Sequence, residues 1–232
     1  MDIRMTSLTR LCTAAMFLFL LPLGADGQDL TEQLHLAARA ADTNAIQSSL
    51  ELGAAVDARD AYNWTALMLV AAANVGAPEQ TEQAQQQELA AKTLIDAGAD
   101  VNARSIDGWS PLHFAAALSN NPAMVETLLA AGAAIEARTM ESWSAEMTLA
   151  RYTGEQRVQQ SIGMGAEADG NIGYTPLMAA AKFGTAELVR ALMLAGADPT
   201  AQDEQSRTAC DYGHERDAPS DTGISELLCR DQ

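Results

Sequence analysis

Apolar positions along the chain recur as pairs of short helical stripes. The clearest pair lies between Ser110 and Gly132. Ser110 suits a helix N-cap and Pro111 its first turn, and the run from Leu112 to Ala117 is largely apolar. Asn120-Asn121-Pro122 reads as a turn. Met124 to Leu129 predicts a second helix, with Val125, Leu128 and Leu129 on one stripe. Gly132 follows, the residue that most easily takes the left-handed backbone ending a helix. The pattern returns in Thr65–Ala73 and Glu88–Ala97 before Gly98, and in Thr175–Ala181 and Ala186–Leu194 before Gly196. A first pair spans Leu30–Ala40 and Ala45–Leu52. A last, partial pair uses Ser206 to Tyr212 and Ile224 to Cys229.

Two places depart from the pattern. The interval between the helices of the second pair is lengthened around Pro78–Gln87. It is either a longer loop or an N-terminal extension of the return helix, and Thr81 with Gln83–Gln87 favours an extension for part of it. Between 139 and 169 the pattern is weak. Trp143 stands in phase with Trp109, but Ala145-Glu146-Met147 replaces the Pro-Leu step, and Val158–Ile162 before Gly163 is the expected second helix. One helical pair cannot bury its apolar face alone, so the chain predicts an all-α stack in which neighbours cover one another. Alanine supplies much of the apolar content and allows close helix approach. The expected units are about 28–59 as N-terminal cap, 60–104 with the insertion, 105–138, a degenerate 139–169, 170–202, and 203–232 as C-terminal cap.

The first residues form a different object. Arg4 and Arg10 precede the apolar run Leu11–Leu21, and small residues surround candidate cuts after Ala25 and Gly27. This is the layout of a secretory signal peptide over 1–27, and the run is short for a membrane span. The expected location is periplasmic or secreted, with no transmembrane segment in the mature chain. The formal net charge is −17. That argues against a phosphate-binding surface and so against nucleic acid, and it permits a basic partner or simply a solvated surface. Beyond the leader only Cys210 and Cys229 remain, either as a disulfide or as two thiols.

Thr175-Pro176-Leu177, its variant Ser110-Pro111-Leu112-His113, and Gly-Ala-Asp at 98–100 and 196–198 give the units their closest parallel. The chain resembles ankyrin repeats from Leu30 to about Cys229. The resemblance implies stacked antiparallel helix pairs with projecting loops, and a concave binding groove made of those loops and the first helices. It implies no cofactor and no catalysis. A leader followed by such repeats is similar to bacterial periplasmic members, some of them linked to oxidative-stress defence.

Trp64, Trp109, Trp143 and Tyr174 each precede a capping position. They either brace neighbouring loops or meet a partner. The loop tips add Tyr62, Ile106, Met140 and Ile172, apolar where a solvated loop has no need of it. Asp60, Asp107 and Glu141 there favour a partner bearing Lys or Arg. The expected function is a non-enzymatic, monomeric protein-interaction scaffold of the cell envelope. The alternative is a chaperone-like or structural stabiliser of another protein. Chemistry finds no foothold. His35, His113 and His214 are scattered, no HExxH, CxxC or EF-hand spacing occurs, and Gly163-Met164-Gly165 lacks the rest of a dinucleotide fingerprint. No catalytic, cofactor or metal residue is expected. His113 reads as a structural hydrogen-bonding group near the repeat turn.

Overall fold

The computed structural model describes residues 27–73, 81–140, 172–215 and 222–229. Residues 1–26 of the leader expected over 1–27, Trp143, Glu141 and most of the expected 139–169 unit lie outside the described residues. Among the described residues ten helices follow in order: α1 Gly27–Arg39, α2 Thr43–Glu51, α3 Ala66–Ala72, α4 Thr81–Asp96, α5 Pro111–Leu118, α6 Pro122–Ala130, α7 Pro176–Phe183, α8 Ala186–Leu194, α9 Ala209–His214 and α10 Thr222–Leu228. The odd-numbered helices pack side by side in one layer and the even-numbered helices in a second. This is the all-α solenoid of helix pairs that the apolar stripes require. No helix among the described residues is long and apolar enough to cross a membrane.

Each inner-layer helix from α3 onward starts at a hydroxyl residue with extended backbone: Thr65, Ser110, Thr175 and Thr208. The hydroxyls of Thr65, Thr175 and Thr208 accept from the N–H three residues on, which satisfies a donor the helix cannot. In the last three of these helices the residue at that third position reaches back. The Asp211 carboxylate accepts the Thr208 N–H at 2.7 Å, and this bond holds its carboxyl below the usual range. His113 does the same for Ser110. The helices then bury alanines against one another. Ala71, Ala72, Ala115, Ala116, Ala179 and Ala180 are all within the core.

Residues 81–87 belong to α4, so the extended stretch of the second pair is, in this part, helix. Gln87 explains why helix is useful there. Its buried amide donates to the carbonyls of Val70 and Ala73 at 2.8 Å, closing the C-terminus of α3. Its Oε1 accepts from Asn121 of the next unit.

Most of the unit expected at 139–169 lies outside the described residues, and the described units on either side of it meet directly. α5 and α7 pack directly on each other, as do α6 and α8. Among the described residues no helix pair stands between them, and α7 and α8 take the place next to α5 and α6. The loops prove the register. In the 105–109 loop, Ser105 N–H donates to the Trp109 carbonyl and Trp109 N–H to the Ser105 hydroxyl. Thr139 and Tyr174 make the same two bonds, although they are 35 residues apart rather than 4. Thr139, Met140, Ile172, Gly173 and Tyr174 therefore occupy the five places of Ser105 to Trp109. The chain departs at Met140 and returns at Ile172, within one loop tip.

Two glycines make the direct α5–α7 stacking and its loops feasible. A Cβ on Gly184 would lie 2.3 Å from the Ala116 carbonyl oxygen. One on Gly108, which has a φ of +78°, would lie 2.6 Å from the Met140 nitrogen. Joining Met140 directly to Ile172 should leave the stack intact. The excised chain is expected to keep its helical circular dichroism and to melt no lower than the full chain. Loss of cooperative melting would show that 141–171 is required for the stack.

The C-terminal cap is closed covalently. Cys210 in α9 and Cys229 after α10 form a disulfide across 19 residues of chain, with Cα atoms 5.4 Å apart. A loop of that size is worth about 3 kcal/mol on the chain-entropy account.

Candidate functional site

The loops form a continuous edge because backbone and side chains bond from one unit to the next. Arg59, Arg104 and Arg138 build a ladder. The Nη1 of Arg59 donates to the Arg104 carbonyl at 2.8 Å, that of Arg104 to the Arg138 carbonyl at 2.9 Å, and that of Arg138 to the Gln202 carbonyl at 2.7 Å. A second ladder uses acceptors. Asp57 accepts the Asp100 N–H, Asn102 the Ala134 N–H, and Glu136 the Asp198 N–H. Neither ladder is a helix stripe, so apolar periodicity passes over it. The recurrence of Ala-Arg after three of the Gly-Ala turns (Ala58-Arg59, Ala103-Arg104, Ala137-Arg138) was the available signal.

At the tips the loops touch. Ile106 N–H donates to the Tyr62 carbonyl at 3.2 Å, and Glu204 N–H to the Ile172 carbonyl at 3.0 Å. Met140 lies against Gly108. Tyr62, Ile106 and Met140 are 40%, 37% and 67% exposed, and Ile172 is half-buried. Glu204, which sequence reasoning did not single out, is exposed at the far end of the strip.

The ring positions behave differently. Trp64, Trp109 and Tyr174 are 1%, 2% and 0% exposed. Their rings run through the interior in a connected series. Trp64 meets Phe114 at 5.4 Å between centroids, Trp109 meets Phe114 at 5.2 Å and Tyr174 at 6.3 Å, and Tyr174 meets Tyr212 edge-on at 4.8 Å. Of the four expected aromatics, Trp143 lies outside the described residues, and the other three brace units from within. A buried ring offers a partner no area, so these three residues are not contact residues in this fold. Asp107 is also buried, at 1% exposed, and its N–H bonds to the Ser105 hydroxyl. It is no surface charge for a basic partner. Asp60 is half-buried and its carboxylate is occupied in the loop, accepting the N–H groups of Tyr62 and Trp64.

His113 is fully buried and joins two units. Its Nδ1 accepts the Ser110 N–H at 3.2 Å, and its Nε2–H donates to the Tyr174 carbonyl at 3.0 Å. Burial, assisted by the charge of Arg104, pushes its pKa down to about 3 against the support of the Tyr174 carbonyl. It is a neutral brace, not a ligand or a base. Tyr212 donates to Asp203 at 2.6 Å, and burial with that bond pushes its phenol upward. The Arg207 guanidinium covers its ring at 4.7 Å. These groups lock the C-terminal cap.

A family model described as Ankyrin repeats (3 copies) matches residues 34–139 and 81–203. No curated protein matches the chain.

Proposed function

The chain belongs to the ankyrin-repeat family, a non-catalytic protein-binding fold, and from that premise we propose that it is an exported scaffold docking one folded protein along its loop tips. The observation that carries this reading is the strip of Tyr62, Ile106 and Met140. Three apolar side chains stand in the open on loops that are otherwise tightly bonded. A rigid strip of this kind meets a partner at low entropic cost. The net charge of −17, with Glu204 beside the strip, favours a partner with a basic rim. Such charges act mainly on encounter, so association should slow as salt rises. The apolar run Leu11–Leu21 behind Arg4 and Arg10 supports export to the bacterial periplasm. Mass measurement of the mature chain from a periplasmic fraction tests that part directly.

The docking reading is tested by a triple variant, Tyr62→Ser, Ile106→Ser and Met140→Ser. All three side chains are partly or largely exposed, so the melting midpoint should stay within a few degrees of the parent. A partner recovered stoichiometrically with the parent chain should be lost by at least about tenfold, the effect of roughly 1.4 kcal/mol of apolar contact. Undiminished recovery with the variant would place docking on another face. Many unfolded clients in place of one native partner would favour a chaperone-like stabiliser.

A further inference from the structure

We propose that the C-terminal cap holds a redox-gated zinc site formed by Cys210, His214 and Cys229. Cys210 and His214 lie four residues apart on α9, hence on one face, and Cys210 Sγ is 3.7 Å from His214 Nδ1. α10 delivers Cys229 to the same point. The three ligand atoms lie within 4.8 Å of one another. Zinc binds thiolate at about 2.3 Å and imidazole at about 2.0 Å in a tetrahedron, which sets neighbouring donors about 3.5–3.8 Å apart. The Cys210 to His214 spacing already meets this. The two sulfurs need only part within a backbone whose Cα atoms are 5.4 Å apart. The burial gradient provides access. Cys210 is buried, Cys229 half-buried and His214 exposed, so an ion can reach the group from the His214 side. Three protein donors leave a fourth position for water.

The disulfide and the metal exclude each other, because each uses both sulfurs. A dithiol reductant breaks the Cys210–Cys229 bond by giving up two electrons. It leaves as its own disulfide, and its two protons pass to the freed thiols. Zinc then displaces those two protons and binds both thiolates with the neutral imidazole. In either state α9 stays tied to α10. The cap is thus held by a covalent link under oxidising conditions and by an ion under reducing ones.

The test titrates Co2+ and then Zn2+ into the full chain, oxidised or reduced with a trialkylphosphine. The phosphine takes its oxygen from water and passes the water's protons to the thiols. The reduced chain is expected to bind a single Co2+ with tetrahedral d–d bands and thiolate-to-cobalt absorption, which Zn2+ abolishes. The oxidised chain should show neither. His214→Ala leaves the disulfide in place and should weaken metal binding in the reduced chain by about tenfold or more. Cys229→Ser should remove it. If reduction melts the cap, Zn2+ should restore the lost helical signal. A reduced chain without the sulfur band, equal affinity in His214→Ala, or a melted cap that zinc does not restore would each overturn the proposal.

Discussion

Acidification from neutral pH is expected to cost the folded chain about 5 kcal/mol through His113 alone. In the unfolded chain this imidazole takes up a proton near its ordinary value of 6.5. In the folded chain it does so only near about 3. Between those values the unfolded state binds more protons, so stability falls as pH falls. Above the window nothing is lost, and below it the loss is complete. The cause is burial, since the ring has no water to solvate a charge. The added proton would also go to Nδ1, which already accepts the Ser110 N–H. His113→Gln separates this group from the many carboxylates that titrate in the same range. Glutamine can still accept from Ser110 as a capping box does, but it does not ionise. Urea unfolding across the window should give the variant a shallower loss than the parent. Parallel curves would remove His113 as the cause. Near neutral pH the variant should be less stable by about 1–3 kcal/mol, because the Tyr174 carbonyl loses its donor inside the core.

Trp109→Ala should destabilise by about 3–5 kcal/mol, the range for a large buried ring. The indole touches Phe114, His113 and Tyr174, so its loss opens a space shared by two units. Denaturant titration should show a lower midpoint. Partner affinity, measured where the variant is still folded, should be unchanged. The opposite result, weak binding with full stability, would mean that the ring reaches the surface in solution. Tyr62→Ala is the natural comparison, being two residues from a buried ring and itself 40% exposed.

Most of the stack could be read from residues alone, because its causes are local. Ser110-Pro111-Leu112 starts a helix wherever it stands, and Gly132 stops one. His113 could be recognised as structural because its counterparts Met68 and Met178 share its place but not its chemistry. Two things could not be read. Trp109 and Tyr62 are both aromatic and both near a loop tip. Only the neighbouring unit decides that one is covered and the other not. The place of the fourth unit in the stack could not be read for the same reason. Trp143 has the right phase, but the hydrogen bonds of Thr139 skip to Tyr174, and phase carries no information about which chain segments meet. The metal group was hidden too, since Cys229 joins Cys210 and His214 only through the packing of α10 on α9.

The junction between Met140 and Ile172 also bears on how the molecule folds. Elsewhere in the stack a unit joins its predecessor through a loop whose ends are 4 residues apart, but here the matching pair is 35 apart. For a flexible chain, raising the separation of two joined residues from 4 to 35 costs about 2 kcal/mol more in closure entropy. Cooperativity between neighbours should therefore be weakest at the α5–α7 boundary. The residues before it and those after it are expected to open as two units, and amide exchange across the boundary should report two opening free energies in place of one.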